Sequence, residues 1–208
     1  MIISFANQKG GVGKSTLVIA YANYLATVKK VPVKIWDWDY QKSLYTKFVQ
    51  DEETSLDKLY DVEVVEHDSN LFQDINNILE LKDDETIHLF DLAGTLDANY
   101  TDLLRYSDFT IIPFEYSDFT IQSTLIFINI LGLIESDTEK IFVPFRIDKG
   151  VNYRKKELIN SELERFGVIT KPVYKRKSLQ TINTRKMTSK QKQDIFKTII
   201  DIHNNIDK

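Results

Sequence analysis

Cysteine is absent from the sequence, and proline and glycine are scarce, at four and seven residues. Without cysteine the chain can form no disulfide, no thiolate metal site and no iron–sulfur cluster. With so few prolines and glycines, and no low-complexity stretch or internal repeat, a long linker or disordered tail is not expected. Long hydrophobic runs are missing as well. The longest, residues 125–134, is interrupted by Asn129 and Gly132, too short and too broken for a membrane span. The apolar N-terminal run meets Lys9 too early to form a signal-peptide core, so a cytoplasmic protein is expected. Positive charge is nearly missing from the middle of the chain, where residues 51–139 hold 3 Lys+Arg against 22 Asp+Glu.

What is present fits one domain over residues 1–208, long enough to bury a sizeable core. Short β-branched strands alternate with helical segments. This predicts a doubly wound α/β architecture, a mainly parallel sheet with helices on both faces, with ligand at the carboxyl ends of the strands. The missing positive charge reappears late: residues 140–192 hold 15 Lys+Arg against 4 Asp+Glu in a chain of net charge −4. Such asymmetry points to a nucleic-acid or membrane partner.

Residues 9–16 read Lys-Gly-Gly-Val-Gly-Lys-Ser-Thr, directly after the apolar strand Ile2-Ile3-Ser4-Phe5-Ala6. Backbone N–H groups of Gly10, Gly11, Val12, Gly13 and Lys14 can curl around an oligophosphate because the glycines accept unusual dihedrals and close approach. A helix beginning near Ser15, with Leu17, Val18, Tyr21, Tyr24, Leu25 and Val28 at helical spacing, brings its positive end to the same point. In this reading Lys14 neutralises the β- and γ-phosphates, the Ser15 hydroxyl ligates Mg²⁺ and Thr16 hydrogen-bonds the α-phosphate, so ATP and Mg²⁺ are the expected cofactors. Gln8 stands where the usual loop has its first glycine, and Lys9 follows it, giving the deviant form with two lysines.

Three further segments carry a family resemblance. Asp37-Trp38-Asp39-Tyr40-Gln41-Lys42-Ser43 follows the strand at 32–36, Asp91-Leu92-Ala93-Gly94-Thr95 follows the strand at 87–90, and a strand at 109–113 ends in Pro113 before a long helix. Together with the loop they resemble the ParA/MinD group of deviant P-loop ATPases, in particular the short ParA type that starts at the first strand without an N-terminal helix-turn-helix. Tyr40 stands where the family has proline. The nitrogenase iron protein shares the loop but needs cysteines.

The resemblance implies an ATPase of weak intrinsic activity. Asp39 aligns with the family's hydrolysis aspartate, which orients or activates water. Asp37 is expected to hold a Mg²⁺-bound water or the loop itself, Asp91 to bind a Mg²⁺ water, and the Gly94 N–H to sense the γ-phosphate. Lys9 corresponds to the lysine that reaches across a two-fold dimer to the partner's phosphates, making ATP the glue of a homodimer. Trp36 and Trp38 read mainly as packing residues. Residues 142–147 read as a strand entering the adenine region, where Arg146 is open between stacking on the base, supporting the ribose and a structural ion pair. Residues 172–179 are similar to the family's last strand and the loop after it.

The basic clusters, Arg154-Lys155-Lys156, Lys175-Arg176-Lys177, Arg185-Lys186 and Lys190 with Lys192, suit sequence-independent contact with DNA phosphates. Lys175, Arg176, Arg185 and Lys186 are the first candidates. A DNA-bound, nucleoid-associated dimer released by a centromere- or cargo-binding partner protein is the expected cycle. A MinD-like membrane-surface role would need a basic amphipathic C-terminal helix. Residues 189–208 have an apolar face but carry Asp194, Asp201 and Asp207, and read better as a closing helix packed on the sheet. A dethiobiotin-synthetase-like metabolic enzyme is the remaining alternative, disfavoured by Lys9.

Overall fold

The computed structural model describes residues 1–66, 69, 71–72, 74–95 and 97–208. Seven strands, β1 (Ile2–Phe5), β2 (Val33–Trp38), β3 (Asp61–Val64), β4 (Ile87–Leu92), β5 (Phe109–Phe114), β6 (Glu139–Pro144) and β7 (Val168–Ile169), form one sheet in the order β3-β2-β4-β1-β5-β6-β7. Every pairing among them is parallel. The helices are α1 (Lys14–Tyr24), α2 (Ser43–Asp51), α3 (Ile75–Asp83), α4 (Thr101–Tyr106), α5 (Asp118–Leu133), α6 (Lys156–Leu163) and α7 (Ser189–Ile206).

Consecutive strand residues point to opposite faces, and both faces of this sheet are apolar. Ile3, Ile35, Leu89 and Ile111 face one way and pack with Leu17, Val18 and Tyr21 of α1 and with Ile195, Ile199 and Ile202 of α7. Their neighbours Ile2, Trp36, Phe90 and Ile112 face the other way, against Ile78 of α3, Leu103 of α4, Phe127, Ile128 and Leu131 of α5 and Ile159 of α6. The doubly wound expectation therefore holds. The chain runs outward from β1 past β4's place to β2 and β3, then returns to fill β4 and β5 on either side of β1. That places the reversal of strand order at β1, where the phosphate loop begins.

Two elements differ from the sequence reading. The second strand continues to Trp38, because Asp37 and Trp38 pair with Asp91 and Leu92 of β4 and Trp38 is fully buried against Phe72 and Tyr100. Trp36 and Trp38 are packing residues, as expected, with Trp36 also stacked on Phe90. The sixth strand ends at Pro144 rather than Ile147, which makes only a single bridge to Tyr174. The C-terminal segment is a helix whose apolar face is buried, opened by a capping box in which Thr188 and Gln191 satisfy each other's backbone N–H. Among the described residues no helix is long and apolar enough to cross a membrane.

Candidate functional site: the phosphate loop and its carboxylates

The loop between β1 and α1 turns through two left-handed residues, Gly11 at φ 72° and Gly13 at φ 100°. Gly13 is also the N-cap of α1, so no side chain occupies the first N–H groups of the helix, and no acidic residue lies in its first turn. Uncapped N–H groups and the dipole together make this end an anion site. A side chain at Gly13 would meet the Phe145 ring at 2.2 Å, and one at Gly94 would meet the Gly10 backbone at 2.6 Å. Glycine at 94 thus lets the loop after β4 pack directly on the phosphate loop.

Both lysines are held within the chain. Lys14 is buried, and its ammonium donates to the Lys9 carbonyl at 3.4 Å. Burial lowers its pKa, while the nearby carboxylates of Asp91 and Asp39 act the other way. The Lys9 ammonium donates to Thr120 Oγ1 at 2.8 Å, within the first turn of α5. Thr120 in turn shares a hydrogen bond of 2.8 Å with the N-cap residue Ser117. Below the loop Asn7 Nδ2 donates to the Pro113 carbonyl at 2.7 Å and to Thr124 Oγ1 at 3.0 Å, tying β1 to β5 and α5.

Asp37 and Asp91 sit in register on β2 and β4, both fully buried. Asp37 accepts from the backbone N–H of Asp39 at 3.2 Å and of Tyr45 at 2.8 Å. Through these bonds it holds the loop between β2 and α2. Burial raises its pKa, and those N–H donors offset part of the rise. Asp91 differs: neither carboxylate oxygen has a hydrogen-bond partner among the described residues. Burial first, then the charge of Asp37, push its pKa up to about 7, with the Ser15 hydroxyl and Lys14 pulling it down. A buried carboxylate with both oxygens open, beside Ser15 and Lys14, fits a cation or its bound water. No group of three acidic or histidine side chains able to hold a metal occurs among the described residues.

Asp39 is the first residue beyond β2. Its Oδ1 accepts from the Gln41 N–H at 2.9 Å and its carbonyl accepts from the Lys42 N–H at 2.9 Å, closing a compact turn. Tyr40 reaches from that turn to Asp97 Oδ2 at 2.7 Å. Neither Asp97 nor Thr120 was legible in the sequence as a site residue, because each acts through a partner distant along the chain.

Arg146 stands against the phosphate loop. Its guanidinium donates to the Gly11 carbonyl at 2.7 Å and braces the phosphate loop from β6. A cavity of about 330 Å³ opens beside it, lined by Thr16, Phe145, Arg146, Tyr174, Lys175 and Arg176 among others. Lys175 and Arg176, read as DNA contacts, are therefore exposed but line a cavity next to the phosphate loop. Arg185 corrects the sequence reading: its side chain is only 3% exposed, pairs with Glu52 at 3.3 Å and lies over the Phe48 ring at 4.5 Å. A guanidinium so placed packs α2 against the segment before α7 and does not face solvent. Lys186 next to it is exposed.

Fold and loop define an α/β P-loop protein with two lysines in the loop. The family model of an AAA domain matches residues 1–86, which include the loop and β2. No curated protein sequence matches the chain. Among solved structures, a plasmid partition protein from Borrelia burgdorferi with AMPPNP bound is similar at 19% identity and TM-score 0.74, over 99% of this chain and 98% of that one. MinD in a MinC:MinD complex from Aquifex aeolicus is similar at 16% identity and TM-score 0.75, over 100% and 96%. An ATP complex of McdA from Cyanothece is similar at 15% identity and TM-score 0.71, over 99% and 96%. The fold is therefore shared with these partition, MinD and McdA proteins, in agreement with the resemblance drawn from the motifs.

Proposed function

We propose that this chain is a ParA-like ATPase of DNA partition, acting as a single domain that dimerises on Mg-ATP, binds DNA non-specifically as the dimer and leaves it when a partner protein stimulates hydrolysis. The observation that carries the reading is the open carboxylate of Asp91 buried beside Ser15 and Lys14, under a loop with a second lysine. Bound Mg²⁺ would offset charge on the β- and γ-phosphates. Ser15 and, through water, Asp91 hold it, and Lys14 and the α1 N-terminus hold the phosphates. Asp39, on the turn next to the loop, orients the attacking water. Thr16, Arg146 and Tyr174 line the cavity that suits the base and ribose.

Lys9 supplies the dimer's share by reaching the partner's phosphates. DNA contact falls to the exposed cations Lys175, Arg176, Lys177, Lys186, Lys190 and Lys192, with Arg185 holding the segment next to Lys186. The buried apolar face of α7 speaks against a MinD-like membrane role. DNA binding measured with ATP, with ADP and without nucleotide, at two salt concentrations, tests the reading. Binding that requires ATP and weakens steeply with salt is expected. DNA binding indifferent to nucleotide, or none at all, contradicts it.

A further inference from the structure

Asp39 is held from both sides by one short segment of the chain. On its N-terminal side the Tyr100 hydroxyl donates to the Trp38 carbonyl at 2.8 Å, and the two rings meet edge to face at 4.9 Å. On its C-terminal side the Tyr40 hydroxyl donates to Asp97 Oδ2 at 2.7 Å. Asp97 is fixed in its turn, since its other oxygen accepts from the Asn99 N–H at 2.9 Å and caps the helical turn Ala98–Tyr100. That turn follows Gly94, which packs on Gly10 of the phosphate loop closely enough that a Cβ there would lie 2.6 Å from the Gly10 nitrogen. A path of contacts therefore runs from Gly10 to the Gly94 loop, and from the turn beyond it through Tyr40 to Asp39.

We propose that Tyr40 is a positioning residue for hydrolysis: its bond to Asp97 holds Asp39 toward the phosphate loop and makes that placement depend on the Gly94 loop. The inference rests on the ATPase reading and on Asp39 as the residue that orients water. Proline, which the resembled family has at this place, stiffens a turn through its ring. Tyrosine leaves the backbone freer and fixes it by a side-chain bond instead. Tyr40 is 56% exposed, so its hydroxyl adds little to folding, and its loss is expected in turnover rather than in stability.

The test is single-turnover and steady-state ATP hydrolysis by the full chain, its Tyr40→Phe, Asp97→Ala and double variants, and Asp39→Ala as reference, with thermal unfolding of each. Tyr40→Phe should lower kcat about tenfold, the rate equivalent of one hydrogen bond to a charged group, and leave KM for ATP and the Tm unchanged. The double variant should be no slower than Asp97→Ala alone, as expected when both substitutions break one contact. An unchanged kcat in Tyr40→Phe, or a raised KM at unchanged kcat, overturns the positioning role while Asp39→Ala abolishes hydrolysis and the ATPase reading stands. Hydrolysis that survives Asp39→Ala overturns Asp39 as the residue that orients water and the positioning role with it, and a parent chain that hydrolyses no ATP overturns the ATPase reading.

Discussion

Asp37 and Asp91 are register partners on adjacent parallel strands, yet only one of them is satisfied: Asp37 accepts two backbone N–H groups, and Asp91 accepts none among the described residues. The pair divides the work of the site. One carboxylate holds the loop after β2, and the other keeps both oxygens open, as the proposed Mg²⁺ site requires.

Opposite responses to the same chemical change follow. Asp37→Asn exchanges one acceptor oxygen for an N–H₂ group facing a backbone donor and should cost about 1–3 kcal/mol of stability. Asp91→Asn removes an ionisable group that burial disfavours, so the nucleotide-free protein should be no less stable at pH 8 and should lose affinity for Mg-ATP. Thermal unfolding and calorimetric titration of the two variants check this. Equal destabilisation by both would contradict the division.

Gly94 leaves no room for a side chain against the Gly10 backbone. Gly94→Ala should displace the phosphate loop and cost about 1–3 kcal/mol, as overpacking does, with weakened ATP binding. Gly132→Ala is the control, because nothing lies within 4 Å of a Cβ there. Comparable ATP affinity in the two variants would contradict the close approach.

Arg185 and Lys186 are adjacent in sequence and opposite in environment. Arg185→Ala removes a guanidinium packed on Phe48 and paired with Glu52 and should destabilise by about 2 kcal/mol. Lys186→Ala should leave stability within about 0.5 kcal/mol and weaken DNA binding alike for all sequences, with a shallower salt dependence. Chemical denaturation and DNA titrations over a salt series separate the two.

The pH dependence of stability has a local source in His88, which is buried at the amino end of the sheet. The Trp36 indole N–H donates to His88 Nδ1 at 3.1 Å, which leaves Nε2 to donate to Asp84 at 3.2 Å. Protonating Nδ1 would set two N–H groups against each other. Burial also lowers the pKa of His88, with Asp84 acting against the shift. A histidine whose folded pKa is depressed takes up its proton more readily unfolded, so stability falls as pH drops below the unfolded value of about 6.5. Trp36→Phe removes the facing N–H and should lessen the fall between pH 7.5 and pH 5.5 in urea titrations. The same slope in both proteins would place the titration elsewhere.

The sequence carried the layer order and the loop far better than the contacts around them. Ile2/Ile3, Trp36 and Ile35, and Phe90 and Leu89 are apolar on both sides of the chain, which is the mark of a strand covered on two faces. Strand 2 read two residues short because Asp37-Trp38 looks like a polar strand end, and only its pairing with Asp91 and Leu92 shows otherwise. Arg185 cannot be told from Lys186 by type or spacing, since residues 182–188 have no regular period to assign a buried side. Thr120 and Asp97 lie 111 and 57 residues from the side chains they bind, and no local pattern marks them.

Lys9 bears the central claim. In this structure its ammonium rests on Thr120 in the first turn of α5, where the positive end of a helix dipole disfavours a cation, so moving it to a phosphate costs little. The most direct measurement is the mass in solution by light scattering, with and without AMPPNP, for the parent chain and Lys9→Ala, alongside nucleotide binding. A dimer that forms only with AMPPNP in the parent, and a variant that binds the nucleotide yet stays monomeric, is the predicted result. A Lys9→Ala protein that dimerises as the parent does would contradict the account.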